Sequence, residues 1–221
     1  MEVPSITFES LSDFGALPTI RQLFAEHRNT FNISDIDLAL LRLNELPTLE
    51  DGYSIQKKQA LSATSSSTKP IAEFVTALHK LAHTILANFS HALNMPWESF
   101  LGEMHELNER GSDELRVFGS DTPIPNDWST MIILLNTSYP NQVTVVCGEA
   151  LSVFSNGVIS APKQSFLEPQ LLPIIESVVP REWIAYYVRP NADVFYSPAG
   201  AEDRTGERVR EVEGDLLRSS L

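Results

Sequence analysis

Cysteine occurs once in the 221 residues, at Cys147, which excludes an intramolecular disulfide framework and suits a reducing compartment. Basic residues are also few. Sixteen Lys and Arg stand against 29 Asp and Glu, a net charge of −13. A surface of that sign repels nucleic-acid phosphates and anionic lipid headgroups, so neither nucleic acid nor a membrane is an expected partner. No stretch approaches the roughly 18 apolar residues that span a bilayer. The first residues, Met1-Glu2-Val3-Pro4-Ser5, have neither the basic region nor the apolar run of a signal peptide. The chain reads as soluble and cytoplasmic. Histidine is missing from the C-terminal half: His27, His79, His83, His91 and His105 are the whole set. No imidazole can therefore lie on strands formed after residue 105.

What the chain has is apolar content, 43%, enough to bury a substantial core as one compact unit over residues 1–221. Within it, residues 1–115 read as mainly helical, 116–198 as sheet and 199–221 as a charged tail. Ile20, Leu23 and Phe24 form one stripe of a helix beginning near Pro18, and Ser34 is a good N-cap for a second helix through Ile36, Leu38, Leu41 and Leu43. This leaves little room for strands ahead of the helices, and the chain looks truncated at its start. Residues 57–70 are polar and rich in Ser and Thr, which predicts a mobile surface loop, with a lid as the functional alternative.

From Pro70 to Leu93 apolar residues recur at three-to-four spacing, predicting a long amphipathic helix. His79 and His83 sit four apart on it, a spacing that can hold a metal. No acidic third ligand shares the pattern, so two half-exposed histidines are the expectation and no metal site is assigned. After Arg116 the period falls toward two. Met131 to Leu135 suits a strand buried on both faces, Val143 to Cys147 the next, and Trp183 to Val188 the last.

Three blocks in this half carry a resemblance. They are Pro125-Asn126-Asp127-Trp128 before an apolar run, Ser155-Asn156-Gly157 followed by Gln164, and Arg181-Glu182-Trp183-Ile184-Ala185-Tyr186-Tyr187. In order and spacing they resemble the C-terminal sheet of the isopenicillin N synthase-like, 2-oxoglutarate/Fe(II)-dependent oxygenases. In that family the first block is His-x-Asp, Ser-Asn-Gly precedes the second iron-binding His, and the third block is Arg-x-Ser. The resemblance implies an α+β fold, a shortened double-stranded β-helix, or jelly roll, backed by N-terminal helices.

The chemistry departs from the family's. Pro125 stands at the first His, Gln164 at the second, and Trp183 at the Ser, while Asp127 and Arg181 match the carboxylate and the oxoglutarate-binding Arg. Iron needs two imidazoles and one carboxylate on one face. A Pro side chain has no donor, so neither iron nor any other cofactor is expected.

Asp127, Gln164 and Arg181 are the candidate catalytic residues, and Trp128, Trp183 and Tyr186 the candidate walls for a small hydrophobic metabolite. Each has a plainer role available: a turn cap for Asp127, a salt bridge for Arg181, a structural amide for Gln164 and core packing for the aromatics. Relatives of the family are common in fungal and plant natural-product pathways. The expected function is a metal-independent, redox-neutral enzyme, a cofactor-free cyclase or isomerase acting on such an intermediate. Two alternatives stay open: a pseudoenzyme that binds a metabolite or partner protein, and a residual 2-oxoglutarate/Fe(II) oxygenase. A homo-oligomer is compatible with either.

Overall fold

Short helices and strands lead into a 24-residue helix that ends at residue 92, and strands dominate beyond it. The computed structural model describes residues 3–37, 41, 45–62, 65, 68–109, 111–119, 122–125, 127–136, 141–162, 166–167, 183–192, 195–196 and 207–208. The chain enters through β1 (Ser5–Thr7), α1 (Phe8–Ser12), α2 (Leu17–Ala25), β2 (Thr30–Ser34) and β3 (Ser54–Gln56). It continues through α3 (Lys57–Ser62), α4 (Lys69–Ala92) and α5 (Phe100–Glu103). Then follow β4 (Glu114–Phe118), β5 (Ile124–Pro125), β6 (Met131–Asn136), β7 (Val143–Cys147) and α6 (Glu149–Phe154). The last elements are β8 (Phe166–Leu167), β9 (Trp183–Val188), β10 (Phe195–Tyr196) and β11 (Glu207–Arg208).

Seven strands form one sheet in the order β1-β2-β7-β6-β9-β4-β3, antiparallel except for the parallel β1–β2 pair. Its centre is β6, whose apolar residues on both faces leave no side to give to water. All six of its residues are buried, and Ile133 pairs with Val145 on one neighbour and Tyr186 on the other. Because side chains alternate across a strand, the sheet divides cleanly. Met131, Ile133, Leu135, Val145, Tyr186 and Val188 pack toward α4, in one cluster with Phe74, Leu78 and Phe89. Phe118, Ile132, Leu134, Val146, Trp183, Ala185 and Tyr187 form a separate cluster on the second face. There Ile124 of β5 joins them, and β5 pairs with β8 as a two-stranded ribbon.

The 24-residue helix α4 starts at Lys69 with Pro70 in its first turn, where the missing N–H has no bond to lose. It lies over the first face of the sheet as the Pro70–Leu93 periodicity predicts. The reversal after α6 uses Asn156 and Gly157, both in the left-handed region at φ 51° and 78°, as expected of Ser-Asn-Gly.

Four expectations are corrected. Ser34 closes β2 instead of capping a helix: Phe31 and Ile33 are drawn into the sheet beside Val145 and Val143, and Asp35 then turns at φ 59°. Leu38 and Leu43 lie outside the described residues. Strands β1, β2 and β3 precede the long helix and widen the sheet, where little room for strands was expected. Residues 57–62 are the helix α3, with Lys57 and Ala60 buried, where a loop was expected. His79 is buried where half-exposure was expected, because a carboxylate and a phenol reach it from the sheet. Most of the tail, including 209–221, lies outside the described residues.

Candidate functional site

Alternation along β4 and β9 brings Glu114, Arg116 and Tyr187 to the second face, and Arg189 follows one step beyond β9. The Arg189 guanidinium is the hub. Its Nη2 donates to Asp127 Oδ2 at 2.5 Å and, with Nη1, to Glu114 Oε2 at 3.4 Å, while Nη1 also donates to the Ser112 carbonyl. Arg116 donates to Glu114 Oε2 at 2.6 Å and Ser54 to Oε1. Both guanidinium carbons lie over the Tyr187 ring, at 4.9 Å for Arg116 and 5.1 Å for Arg189, within cation–π range. The Tyr187 hydroxyl donates to the Pro125 carbonyl at 2.9 Å, tying the ribbon to the sheet.

Two acids and two bases thus neutralise one another. Burial alone would raise the Glu114 carboxyl, but the bonds from Arg116 and Ser54 and the two guanidinium charges hold it below the ordinary value. Burial, then the Asp127 charge, push the Tyr187 phenol well above its ordinary range. Arg116 and Asp127, 28% and 29% exposed, are the members of the charged cluster that a molecule from solvent reaches, while Glu114 and Arg189 lie deeper.

A second polar cluster lies on the α4 side. Asp113, fully buried, accepts from the Arg189 backbone N–H at 2.8 Å and the Tyr186 hydroxyl at 3.2 Å, and pairs with Lys57 Nζ at 3.1 Å. Lys57 also donates to the Glu106 carbonyl. His79 Nδ1 is 3.1 Å from Tyr186 Oη. With the phenol donating to Asp113, Nδ1 donates to the phenol, and Nε2 is left buried without a partner. Burial opposes the Asp113 charge, yet His79 Nδ1, which also lies 3.4 Å from Oδ2, the Lys57 ammonium and the Arg189 N–H bring its carboxyl below the ordinary value. His105 is locked as a neutral ring, donating from Nδ1 to Leu101 O at 2.6 Å and accepting at Nε2 from Thr130 at 2.7 Å. Burial lowers its pKa to about 4.

The sequence-predicted residues are divided between these places. Asp127 and Trp183 are on the second face. Tyr186 and Trp128 are not walls of that face: both belong to the α4-side core, Tyr186 because it sits one residue out of step with Trp183 and Tyr187. Gln164 and Arg181 lie outside the described residues. Sequence reasoning missed Glu114, Arg116, Tyr187 and Arg189 as a group. The signal was present in the alternation of Glu114 with Arg116 and of Tyr187 with Arg189, an ion pair and an aromatic–cation pair at strand spacing.

A helix-backed sheet of this connectivity, with a two-stranded ribbon across its second face, defines a double-stranded β-helix. No protein-family model matches the chain, and no curated protein matches it. Solved structures do. The full-length Neurospora crassa T7H, in complex with alpha-KG and 5-formyluracil, superposes with a TM-score of 0.66 at 14% identity, covering 97% of this chain and 95% of that one. JOX2 in complex with 2OG, Fe and JA gives 0.65 at 16%, covering 98% and 85%. A putative 2OG-Fe(II) oxygenase family protein from Caulobacter crescentus gives 0.62 at 13%, covering 98% and 99%. The chain carries, more particularly, the fold of the 2-oxoglutarate/Fe(II) oxygenases.

The residues present do not fit that family's metal. Iron there requires two imidazoles and a carboxylate. Here the Pro125 side chain offers no donor, and the one matching carboxylate, Asp127, already holds a guanidinium. Among the described residues no group of three His, Cys, Asp or Glu could hold a metal ion. His79, His83 and His105 are all on the α4 side, away from Asp127.

Proposed function

We propose that this chain is a metal-independent protein on an oxygenase fold, and that it binds a small hydrophobic metabolite at the second face of the sheet beside Arg116 and Asp127. The observation that carries this reading is the Arg189–Asp127 pair, in which a guanidinium takes the place beside the carboxylate that a metal would need. Binding without turnover is favoured because the described ionisable groups of that face, Glu114, Arg116, Asp127, Tyr187 and Arg189, are all paired. General acid–base catalysis needs a group poised near neutral pH, whereas Glu114 is held below the ordinary carboxyl value and Tyr187 above the ordinary phenol value.

The second reading is a redox-neutral cyclisation or isomerisation. In its favour is the part-exposed Arg116 guanidinium, a fixed donor able to stabilise negative charge developing on a carbonyl or hydroxyl of the metabolite. Gln164 and Arg181 would add a neutral and a cationic donor. The experiment is metal analysis after reconstitution with Fe(II), together with an assay for conversion of oxoglutarate to succinate. Sub-stoichiometric iron and no succinate are expected. One iron per chain with oxoglutarate turnover would sink metal independence. Product formation from a bound metabolite, followed by mass spectrometry, separates the enzyme from the binder.

A further inference from the structure

On the far side of α4 from the sheet, Glu73, Thr76, Ala77, Lys80 and Thr84 recur at helical spacing and would ordinarily form a solvated stripe. Here Phe8 of α1 and Ile36 and Leu41 beyond β2 rise over it, enclosing with Ala77 and Leu81 a cleft of about 340 Å³. That volume is at the lower end of small-molecule sites, which are apolar with a few polar groups at fixed places. The cleft has that composition.

Its charges are unequal. Glu73 pairs with Lys69 at 3.8 Å, so its carboxylate is already answered. Lys80 has no ion pair among the described residues. Thr76 and Thr84 donate their hydroxyl protons to the helix carbonyls of Ala72 and Lys80, at 2.7 and 3.2 Å, and so present no free donor of their own. The one charge left unanswered at the rim is therefore positive, two helical turns from Glu73. An apolar floor with a single cation at one end selects a molecule with an apolar body and one anionic head.

We propose that this cleft between α1, α4 and the segment after β2 is a binding site for a small apolar carboxylic acid, its carboxylate on Lys80 and its body against Phe8, Ile36, Leu41 and Leu81. The site is distinct from the second face of the sheet, and its test does not depend on that reading.

Calorimetric titration of the full chain with octanoate and with 3-phenylpropanoate, against 1-octanol as the neutral counterpart, provides the test. At least one acid is expected to bind saturably at one site per chain, and which of the two does so decides between an aliphatic and an aryl body. Lys80→Met should weaken the acid about fivefold, the effect of one exposed ion pair, and leave octanol unchanged. Ala77→Phe should abolish binding of both by filling the floor, with the far-UV circular dichroism and unfolding midpoint showing that the variant is folded. Absence of binding by both acids, or acid affinity untouched by either variant, overturns the assignment.

Discussion

Arg189 is held twice, by its backbone on Asp113 and by its side chain on Asp127, so one residue joins the polar clusters on the two faces of the sheet. Asp113 in turn depends on Lys57, whose side chain is only 1% exposed. Lys57→Met removes the cation and leaves a buried carboxylate short of its partner, a change that costs about 3–5 kcal/mol in comparable buried pairs. Guanidinium unfolding should show that loss. A midpoint within experimental error of the parent would mean that the pair contributes nothing. His105 makes a separate, pH-dependent contribution. Its folded pKa is depressed to about 4, so the unfolded chain takes up the proton first as pH falls. The stability is full above the ordinary histidine value of about 6.5, declines between there and pH 4, and levels off below. Roughly 3 kcal/mol should disappear across that window. In His105→Gln the slope over the same range should be markedly shallower, read from unfolding curves at pH 7 and pH 4.5, the remainder arising at its acid end from the depressed carboxyls of Asp113 and Glu114.

The helix α4 and the turn into α6 are the elements whose packing is least forgiving. Leu78 is fully buried within the α4 face of the core. Leu78→Ala should cost about 2–5 kcal/mol, because the long helix cannot collapse onto the cavity without disturbing the rest of its face. At Gly148 the constraint is steric. A Cβ there would lie 2.1 Å from the Ser129 carbonyl oxygen, while Gly148 N–H also donates to Thr130 O. Gly148→Ala should therefore destabilise by at least about 1–3 kcal/mol, as overpacking does. Thermal unfolding of the two variants tests both claims, and a Gly148→Ala protein as stable as the parent would show that the β7–α6 junction can shift.

For the molecule as a whole, the question is whether the oxygenase frame still performs chemistry. If it does, Gln164 and Arg181 are the next groups to remove. Each Ala variant should slow conversion of the metabolite about a hundredfold, the usual cost of losing one preorganised donor, with the melting temperature nearly unchanged. Unaltered rates in both would place the chemistry elsewhere, and a bound metabolite that is never converted would establish the binder. Among the described residues no helix is long and apolar enough to cross a membrane.

Local periodicity and composition were enough to place α4, β6 and β9, because each has an apolar pattern that only one kind of element can bury. The lack of any histidine after His105 likewise follows from the sequence alone. Shorter, mixed segments were decided by their neighbours. Ser34 ends a strand because Val143 and Val145 offer Phe31 and Ile33 an edge to pair with, and α3 forms where its polar composition suggested a loop because Lys57 finds Asp113 inside the core. The candidate site divides in the same way. Asp127 was legible from its motif, but its partner Arg189 lies 62 residues away, and only the folded sheet brings that guanidinium to it. Which charges meet, and on which face, depends on register and long-range pairing, which no local pattern encodes.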